Sequence, residues 1–455
     1  MSTARWARAL IVGGALWGGI AEAQKSTEPS PADLYGRMTL RGYYSTDNAS
    51  LDYPEPAYVF LDADVRADKL TEGGLKLVLD STFIFDINES NERRFGETEE
   101  VVRARSFYVL QPLSGGDVEL AMGRRLIFEA GNAWVDGVDV NFAVADNRKA
   151  VVGVYGGLSP DPYDTAFNTE YQAAGLYGSL HREGFDLSLA ANTMMRDGEQ
   201  IRQFGFNRIH MKLTEDLFVS SYLVMDFIDG PNVATYLGTL DYTPTQPLNL
   251  MLTYSHFSLA DYSDPTVFRN VLEPNQRDAL GLLPLDLAYD RVRFQASLNF
   301  GTSYYHYQSV EYRTRDQGQN RGDDSAWQYI AGLRDDDLFG VGARADLQGV
   351  VLNNFVSDSY TLLLDLEYDA GQWLTLNALL SYFTGRTIGR ASGQSRTFDE
   401  EQTLYTVQGG VLIRPNRHHQ IDLNYEALVE AEVQDLRNDD PLLIHTINAA
   451  YNYFF

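Results

Sequence analysis

The chain of 455 residues contains no cysteine. That rules out a disulfide framework, and it rules out the acylated cysteine by which a bacterial lipoprotein is anchored. Beyond the first two dozen residues there is no run of about 18 apolar residues, so no helix is expected to span a bilayer. Basic residues are scarce: 36 Lys and Arg stand against 63 Asp and Glu, for a net charge of −27. This balance argues against a nucleic acid partner, because phosphate contacts need clustered Lys and Arg. The seven histidines show no metal-ligand spacing, so no metal or cofactor is expected. Linkers, low-complexity stretches and capped 3.6-residue periodicity are missing as well. About 430 residues therefore read as one continuous unit rather than the two or three domains their number suggests.

Near the amino terminus, Arg5 and Arg8 precede an apolar stretch from Ala9 to Ile20, and Ala21-Glu22-Ala23 supplies a small-x-small site. Residues 1–23 are thus expected to be a secretory signal peptide. Residues 24–33 follow as a short polar periplasmic segment, and 34–455 form the remaining unit. Loss of Arg5, Arg8 and Glu22 makes the mature chain one unit more negative.

Two-residue alternation dominates that unit. Leu34, Gly36, Met38, Leu40 and Gly42 oppose Tyr35, Arg37, Thr39, Arg41 and Tyr43. Val59, Leu61, Ala63 and Val65 oppose Tyr58, Phe60, Asp62, Asp64 and Arg66. Val292, Phe294, Ala296 and Leu298 oppose Arg291, Arg293, Gln295 and Ser297, and Leu362, Leu364 and Leu366 oppose Asp365 and Glu367. Successive side chains of a strand point to opposite faces, so each segment has one apolar face. About 22 such segments of about 10–14 residues can be placed, longer than the soluble norm of about 5–6 and suited to a tilted membrane crossing.

The connections sort into two kinds. Short turns are expected at Lys69–Gly73, Pro112–Gly116, Ala145–Arg148, Arg182–Gly184, Thr214–Asp216, Thr243–Pro247, Gly301–Thr302, Asp335–Asp337, Asp369–Gly371 and Pro415–Arg417, most with Gly, Pro, Asp or Asn. Between them lie longer, acidic or irregular connections at 46–56, 87–99, 157–168, 258–286, 315–324, 385–400 and 430–440, and short ones near 197–199 and 228–230. The expected fold is an all-β transmembrane antiparallel up-and-down barrel of about 18–22 strands, an even number, with short periplasmic turns and long extracellular loops.

The final strand carries a resemblance. Tyr451, Tyr453 and Phe455 alternate at its end. This pattern resembles the C-terminal assembly signal of bacterial outer-membrane β-barrels, which implies outer-membrane localisation, contact with outer-membrane lipids and recognition by the barrel-assembly machinery. Gly123-Arg124-Arg125, followed by Gly131 and Asp136-Gly137-Val138, also resembles a strand–loop–strand of large porins and of the alginate-export type of barrel. That likeness covers about twenty residues. It implies a loop folded near the pore with Arg124 or Arg125 bordering the lumen; the alternative is an arginine tied to a nearby loop carbonyl.

A charge facing lipid near the midplane costs about 2–4 kcal/mol, so the polar faces should line the lumen. Arg37, Arg41, Arg66, Arg103, Arg105, Arg291, Arg293 and Arg344 are expected there, among Asp62 and Asp64, with Tyr43 and Tyr58 able to stack on sugar rings. Opposite charges on neighbouring strands would equally serve to rigidify the wall. No plug domain is expected before the first strand. The function expected is a channel for export of a secreted polysaccharide, working with periplasmic export proteins. A passive small-solute or ion-selective porin is the alternative. His210, His256 and His306 lie in strands without a nucleophile–base spacing, so an enzyme is not expected. An adhesive barrel stays open, with segment 258–286 as its contact surface or as a constriction.

Overall fold

Alternating apolar and polar residues favour strands, and strands that must satisfy every backbone group without water close upon themselves. The computed structural model describes residues 33–48, 55–87, 100–160, 167–228, 230–258, 288–315, 325–355, 357–390, 397–431 and 441–455. The signal peptide, most of the segment 24–33, most of loop 258–286 and the acidic pairs Asp323-Asp324 and Asp439-Asp440 lie outside the described residues.

Twenty-two antiparallel strands follow one another around a closed sheet. They are β1 (Asp33–Asp47), β2 (Ala57–Asp68), β3 (Lys76–Asp86), β4 (Glu100–Leu113), β5 (Val118–Ile127), β6 (Ala133–Ala143) and β7 (Ala150–Leu158). Next come β8 (Tyr171–Arg182), β9 (Phe185–Arg196), β10 (Glu199–Lys212), β11 (Leu217–Asp226), β12 (Asn232–Thr245), β13 (Leu248–Ser258), β14 (Ala288–Phe300) and β15 (Tyr304–Arg315). The last are β16 (Ser325–Leu338), β17 (Ala343–Asn353), β18 (Ser357–Asp369), β19 (Leu374–Arg390), β20 (Thr397–Asn416), β21 (His419–Glu430) and β22 (Leu442–Phe454). Each strand pairs with the next, and β22 closes onto β1 from Arg37–Phe454 to Asp47–Ile444. Phe455 exchanges both backbone hydrogen bonds with Gly36, so the terminal residue seals the seam.

The register assigns the faces. On β22, Tyr453, Tyr451, Ala449, Ile447 and Leu443 share the outer face with Leu423 on β21, and Ile447 and Leu423 are exposed. Leu252, Phe294, Val310, Leu347, Leu362 and Val407 continue this exposed apolar band around the barrel. Aromatic rings flank it. Tyr312, Trp327, Tyr360, Tyr382 and Tyr405 lie toward the long-connection end, with Tyr242, Phe300, Tyr304 and Tyr368 toward the other. Such a band between aromatic girdles places the protein in the bacterial outer membrane.

The turns expected on the periplasmic side all lie at one end, as the sequence indicates, although several of their bounding residues belong to strands. β16 runs through Asp335, Asp336 and Asp337, and the chain reverses at Phe339–Gly342 instead. Gly340 and Gly342 supply the positive φ angles that a reversal needs (71° and 72°), and Asp337 Oδ1 accepts the Gly342 N–H at 2.7 Å. Pro112 likewise belongs to β4. At the same end Lys69 Nζ lies 2.7 Å from Asp33 Oδ2, and this bond lifts the ammonium above its ordinary pKa. At the opposite end, hydrogen bonds from Thr46 and Tyr44 hold the Glu55 carboxyl below its ordinary range.

A larger correction concerns 385–400, expected as a loop. β19 and β20 remain paired out to Arg390–Thr397. Asp399, Glu400 and Glu401 belong to this extension, with Glu401 opposite Arg386. Charged strands can continue pairing once clear of lipid, because water solvates their side chains.

Several inward aromatic rings lie flat over a glycine of the adjacent strand. Tyr307 faces Gly332 across the β15–β16 ladder, and its hydroxyl donates to Asp346 Oδ1 at 3.0 Å. A Cβ at Gly332 would collide with the ring. Gly332→Val is expected to displace Tyr307 and cost about 1–3 kcal/mol, read as a lower urea midpoint of the barrel in lipid vesicles.

Candidate functional site: the charged inner wall

The polar faces converge on the lumen. Arg41 Nε lies 2.9 Å from Asp62 Oδ2, and the Thr82 hydroxyl donates to Asp62 Oδ1 at 2.6 Å. Arg105 is held in a fork by Asp80 at 2.5–3.0 Å and also donates to Thr82 at 3.2 Å. The register sets Arg37 opposite Asp64 and Arg103 opposite Thr82 on this same face, and Arg66 Nε approaches Asp64 at 3.7 Å. Cations and anions alternate across β1 to β4, as expected of a wall that neutralises itself. Even paired, the side chains of Arg41 and Arg105 remain 47% and 53% exposed. The lumen at this level is therefore solvent-accessible, and a barrel of this size is wide enough for an aqueous passage.

Beside this ladder lies a pocket of about 330 Å³ across the closing seam. Arg41, Tyr43, Phe60, Gln408, Asn424 and Asn448 are among its lining residues, drawn from β1, β2, β20, β21 and β22, with Asp422 at its edge. The Arg41 guanidinium sits 4.8 Å above the Phe60 ring, and Tyr43, Tyr58 and Phe60 form an aromatic row with centroids 5.9 and 6.1 Å apart. The amides of Gln408, Asn424 and Asn448 supply both donors and acceptors at fixed positions. Local alternation marked Tyr43, Tyr58 and Arg41 as inward. The amide row was not singled out, because its members lie far apart in the sequence.

A third group lies on β14 and β15. Arg291 and Arg313 both approach Glu311, which is buried, with Arg291 at 3.8 Å. Arg293 donates to Ser309 at 2.9 Å, and Arg315 stacks on Phe355 at 4.3 Å. Two guanidiniums converge on one carboxylate, with two more arginines on the same strands, in a protein that is strongly acidic overall. Nearby, Arg344 bonds Glu367 at 3.2 Å and lies 3.8 Å from Asp365.

The Gly123-Arg124-Arg125 segment divides its arginines between two faces. Arg125 points inward to Asp139, and Tyr177 donates to the same carboxylate at 2.9 Å. Arg124 shares the outer face of Phe107 and Met122, which corrects its expected position beside the lumen. The physical reason is that β5 alternates without a break, so Arg124 follows Leu120 and Met122 outward while Arg125 follows Ala121 and Gly123 inward. Arg124 is taken up by Asp136 in a bidentate pair at 2.6 Å and by the Ala104 carbonyl at 2.9 Å. The alternative reading of this motif has the arginine tied to a loop carbonyl; the carbonyl belongs to strand β4 instead.

The loop that follows turns into the barrel. Residues Phe128–Ala130 form a short 3-10 turn, Gly131 adopts φ 79°, and Asn192 of β9 donates to the Ala130 carbonyl at 3.0 Å. Ile127, Ala130 and Val135 are buried against Tyr155, Ala173 and Tyr177 on the inner wall. This hairpin end occupies one side of the lumen. Of the histidines, His256 Nδ1 lies 3.0 Å from Asp290, which also accepts from Tyr254, on the outer face at the rim.

No protein-family model and no curated protein matches the chain. Among solved structures, it is similar to the ferric enterobactin receptor PfeA in complex with BCV-L6, at 10% identity and TM-score 0.54, covering 94% of this chain and 82% of that one. OccAB2 of Acinetobacter baumannii aligns at 13% identity over 94% of this chain and 100% of that chain, with TM-score 0.46. OccD3 (OpdP) of Pseudomonas aeruginosa aligns at 8% identity over 93% and 91%, with TM-score 0.42. The closed sheet, its apolar girdle and the likeness to PfeA make the fold that of a bacterial outer-membrane β-barrel.

Proposed function

We propose that this barrel is an outer-membrane channel through which a secreted polysaccharide is exported. The observation that supports this reading is the seam pocket. A sugar ring offers apolar C–H faces and a rim of hydroxyls, and the pocket pairs aromatic rings with amides able to donate and accept. Such a site binds a neutral saccharide unit weakly enough to hand it on. The final strand, with Tyr451, Tyr453 and Phe455, is the element the barrel-assembly machinery would read, and periplasmic export proteins would deliver the polymer.

The test is single-channel conductance of the purified protein in planar bilayers, with a neutral glucan, an anionic polyuronate and a cationic oligoglucosamine added in turn. Concentration-dependent block by polymer is expected. Phe60→Ala should raise the half-blocking concentration about tenfold, equivalent to about 1.4 kcal/mol. A small-solute porin is the second reading, and the arginine cluster around Glu311 favours it. Steady conductance without polymer block and with a preference for anions would select that reading.

A further inference from the structure

Among the described residues, the barrel wall is interrupted between β4 and β7. Pairing between β4 and β5 ends at Phe107–Arg124. Yet β4 continues against β3 as far as Glu100, and β5 continues against β6 as far as Ile127. On the far side, β6 and β7 pair only from Asp136–Leu158 onward. Among the described residues, the end of the β5–β6 hairpin, from Arg125 to Val135, thus has no ladder partner on either flank. It has left the wall for the lumen, where Ile127 and Val135 pack on Tyr155 and Tyr177.

Unpaired backbone in hydrocarbon is strongly unfavourable, so a break of this kind needs substitute bonds. Two side chains of the hairpin provide them. Arg124 donates to the Ala104 carbonyl at 2.9 Å, and Trp134 Nε1 donates to the Arg105 carbonyl at 2.9 Å. Both carbonyls belong to the stretch of β4 without a β5 partner. Side-chain bonds can release and re-form singly, whereas a ladder opens only in sequence.

The surroundings point to what would pass. Val102 and Phe107 stand at the outward rim of the break, 58% and 56% exposed. On the same outer face, a groove of about 510 Å³ crosses β7 to β11, with Gly178, Ala191 and Gly205 on its floor and Leu176, Leu223 and Phe227 among its walls. Inside the break, Arg103 and Arg105 lie on the lumen face.

We propose that the end of the β5–β6 hairpin is a lateral gate, through which an acyl chain of an anionic membrane amphiphile passes between the outer leaflet and the lumen. The apolar rim and groove receive the chain, the two arginines meet its head group, and Arg124 with Trp134 latch the gate. This inference stands independently of the polysaccharide reading.

The absence of cysteine permits a direct test with the full chain in phosphatidylglycerol vesicles. A bimane label is placed at Ser106→Cys, on the lumen face beside the break, or at Gln295→Cys, on the lumen face of β14. Quenching is read with phosphatidylglycerol carrying a nitroxide on its acyl chain. The Ser106 site is expected to be quenched more than the Gln295 site. Trp134→Phe keeps the ring but removes the latch hydrogen bond, which should raise the open fraction roughly five-fold and widen that difference. Circular dichroism establishes that each variant is folded. Equal quenching at the two sites, or a difference that Trp134→Phe leaves unchanged, overturns the gate. Quenching at Ser106 by aqueous iodide alone does so too, since water and not an acyl chain would then occupy the break.

Discussion

Replacing Arg124 with alanine is expected to destabilise the barrel by about 3–5 kcal/mol, among the largest effects of any single substitution in the wall. Arg124 and Asp136 are 9% and 10% exposed, and two parallel hydrogen bonds of 2.6 Å join them. Removing the guanidinium leaves the Asp136 carboxylate on the face that borders lipid, with neither water nor a countercharge. It also leaves the Ala104 carbonyl without the donor that replaces its missing ladder bond. The cost is therefore that of an orphaned charge, and it should be largely relieved by removing the second partner. Urea unfolding in lipid vesicles reads this directly. The double variant Arg124→Met, Asp136→Leu should lie well above Arg124→Ala in midpoint, while Arg124→Lys, which keeps the charge but loses the fork, should fall between Arg124→Ala and the natural chain. A double variant as unstable as Arg124→Ala would show that packing, not the charge, holds this part of the wall.

The same arginine shows where sequence reading stops. Alternation in segments such as Leu34–Tyr44 and Val292–Phe300 was enough to define faces, because each has charge on one side only and lipid cannot accept it. Turn chemistry placed nearly all the reversals, and where Asp335–Asp337 misled, the glycines five and seven residues on from Asp335 had the better claim to positive φ. Adjacent arginines defeat the method. Arg124 and Arg125 must face opposite ways, and because Asp136 of the neighbouring strand takes up an outward charge, the rule that charge faces inward does not say which is which. The seam pocket was out of reach for a different reason. Tyr43 and Phe60 meet Gln408, Asn424 and Asn448 only because β22 closes on β1, and no local pattern joins the two ends of the chain. The extension of β19 and β20 escaped notice because its residues are as polar as a loop, and polarity alone does not distinguish a solvated strand from a turn.

Asp139→Ala, on the opposite face of the same hairpin, is the second substitution expected to cost about 3–5 kcal/mol, and here the consequence reaches the lumen. Asp139 is 2% exposed and serves two partners, the Arg125 guanidinium and the Tyr177 hydroxyl. Without it, Arg125 retains only the face of Tyr108, 5.4 Å away, and Tyr177 loses its acceptor. These bonds tie β5 and β6 to β8, directly beneath the hairpin end that lies in the lumen. Another polar tie is Asn192, which donates to the Ala130 carbonyl while accepting from Tyr155 at 2.7 Å. With Asp139 gone, the hairpin end rests on apolar packing, on Asn192 and on the Trp134 bond to the Arg105 carbonyl. Open-channel current should then fluctuate more than in the natural protein, since a segment occupying one side of the passage samples more positions. Asp139→Asn keeps an acceptor for Tyr177 but not the countercharge for Arg125, so it should cost less, about 1–3 kcal/mol, with intermediate noise. Asn192→Ala tests its own tie and should raise the noise with a smaller loss of stability. If Asp139→Ala lowers the urea midpoint but leaves the current steady, the hairpin end is held by the packing of Ile127, Ala130 and Val135 with the bonds of Asn192 and Trp134, and the charged network beneath it stabilises the wall without shaping the passage.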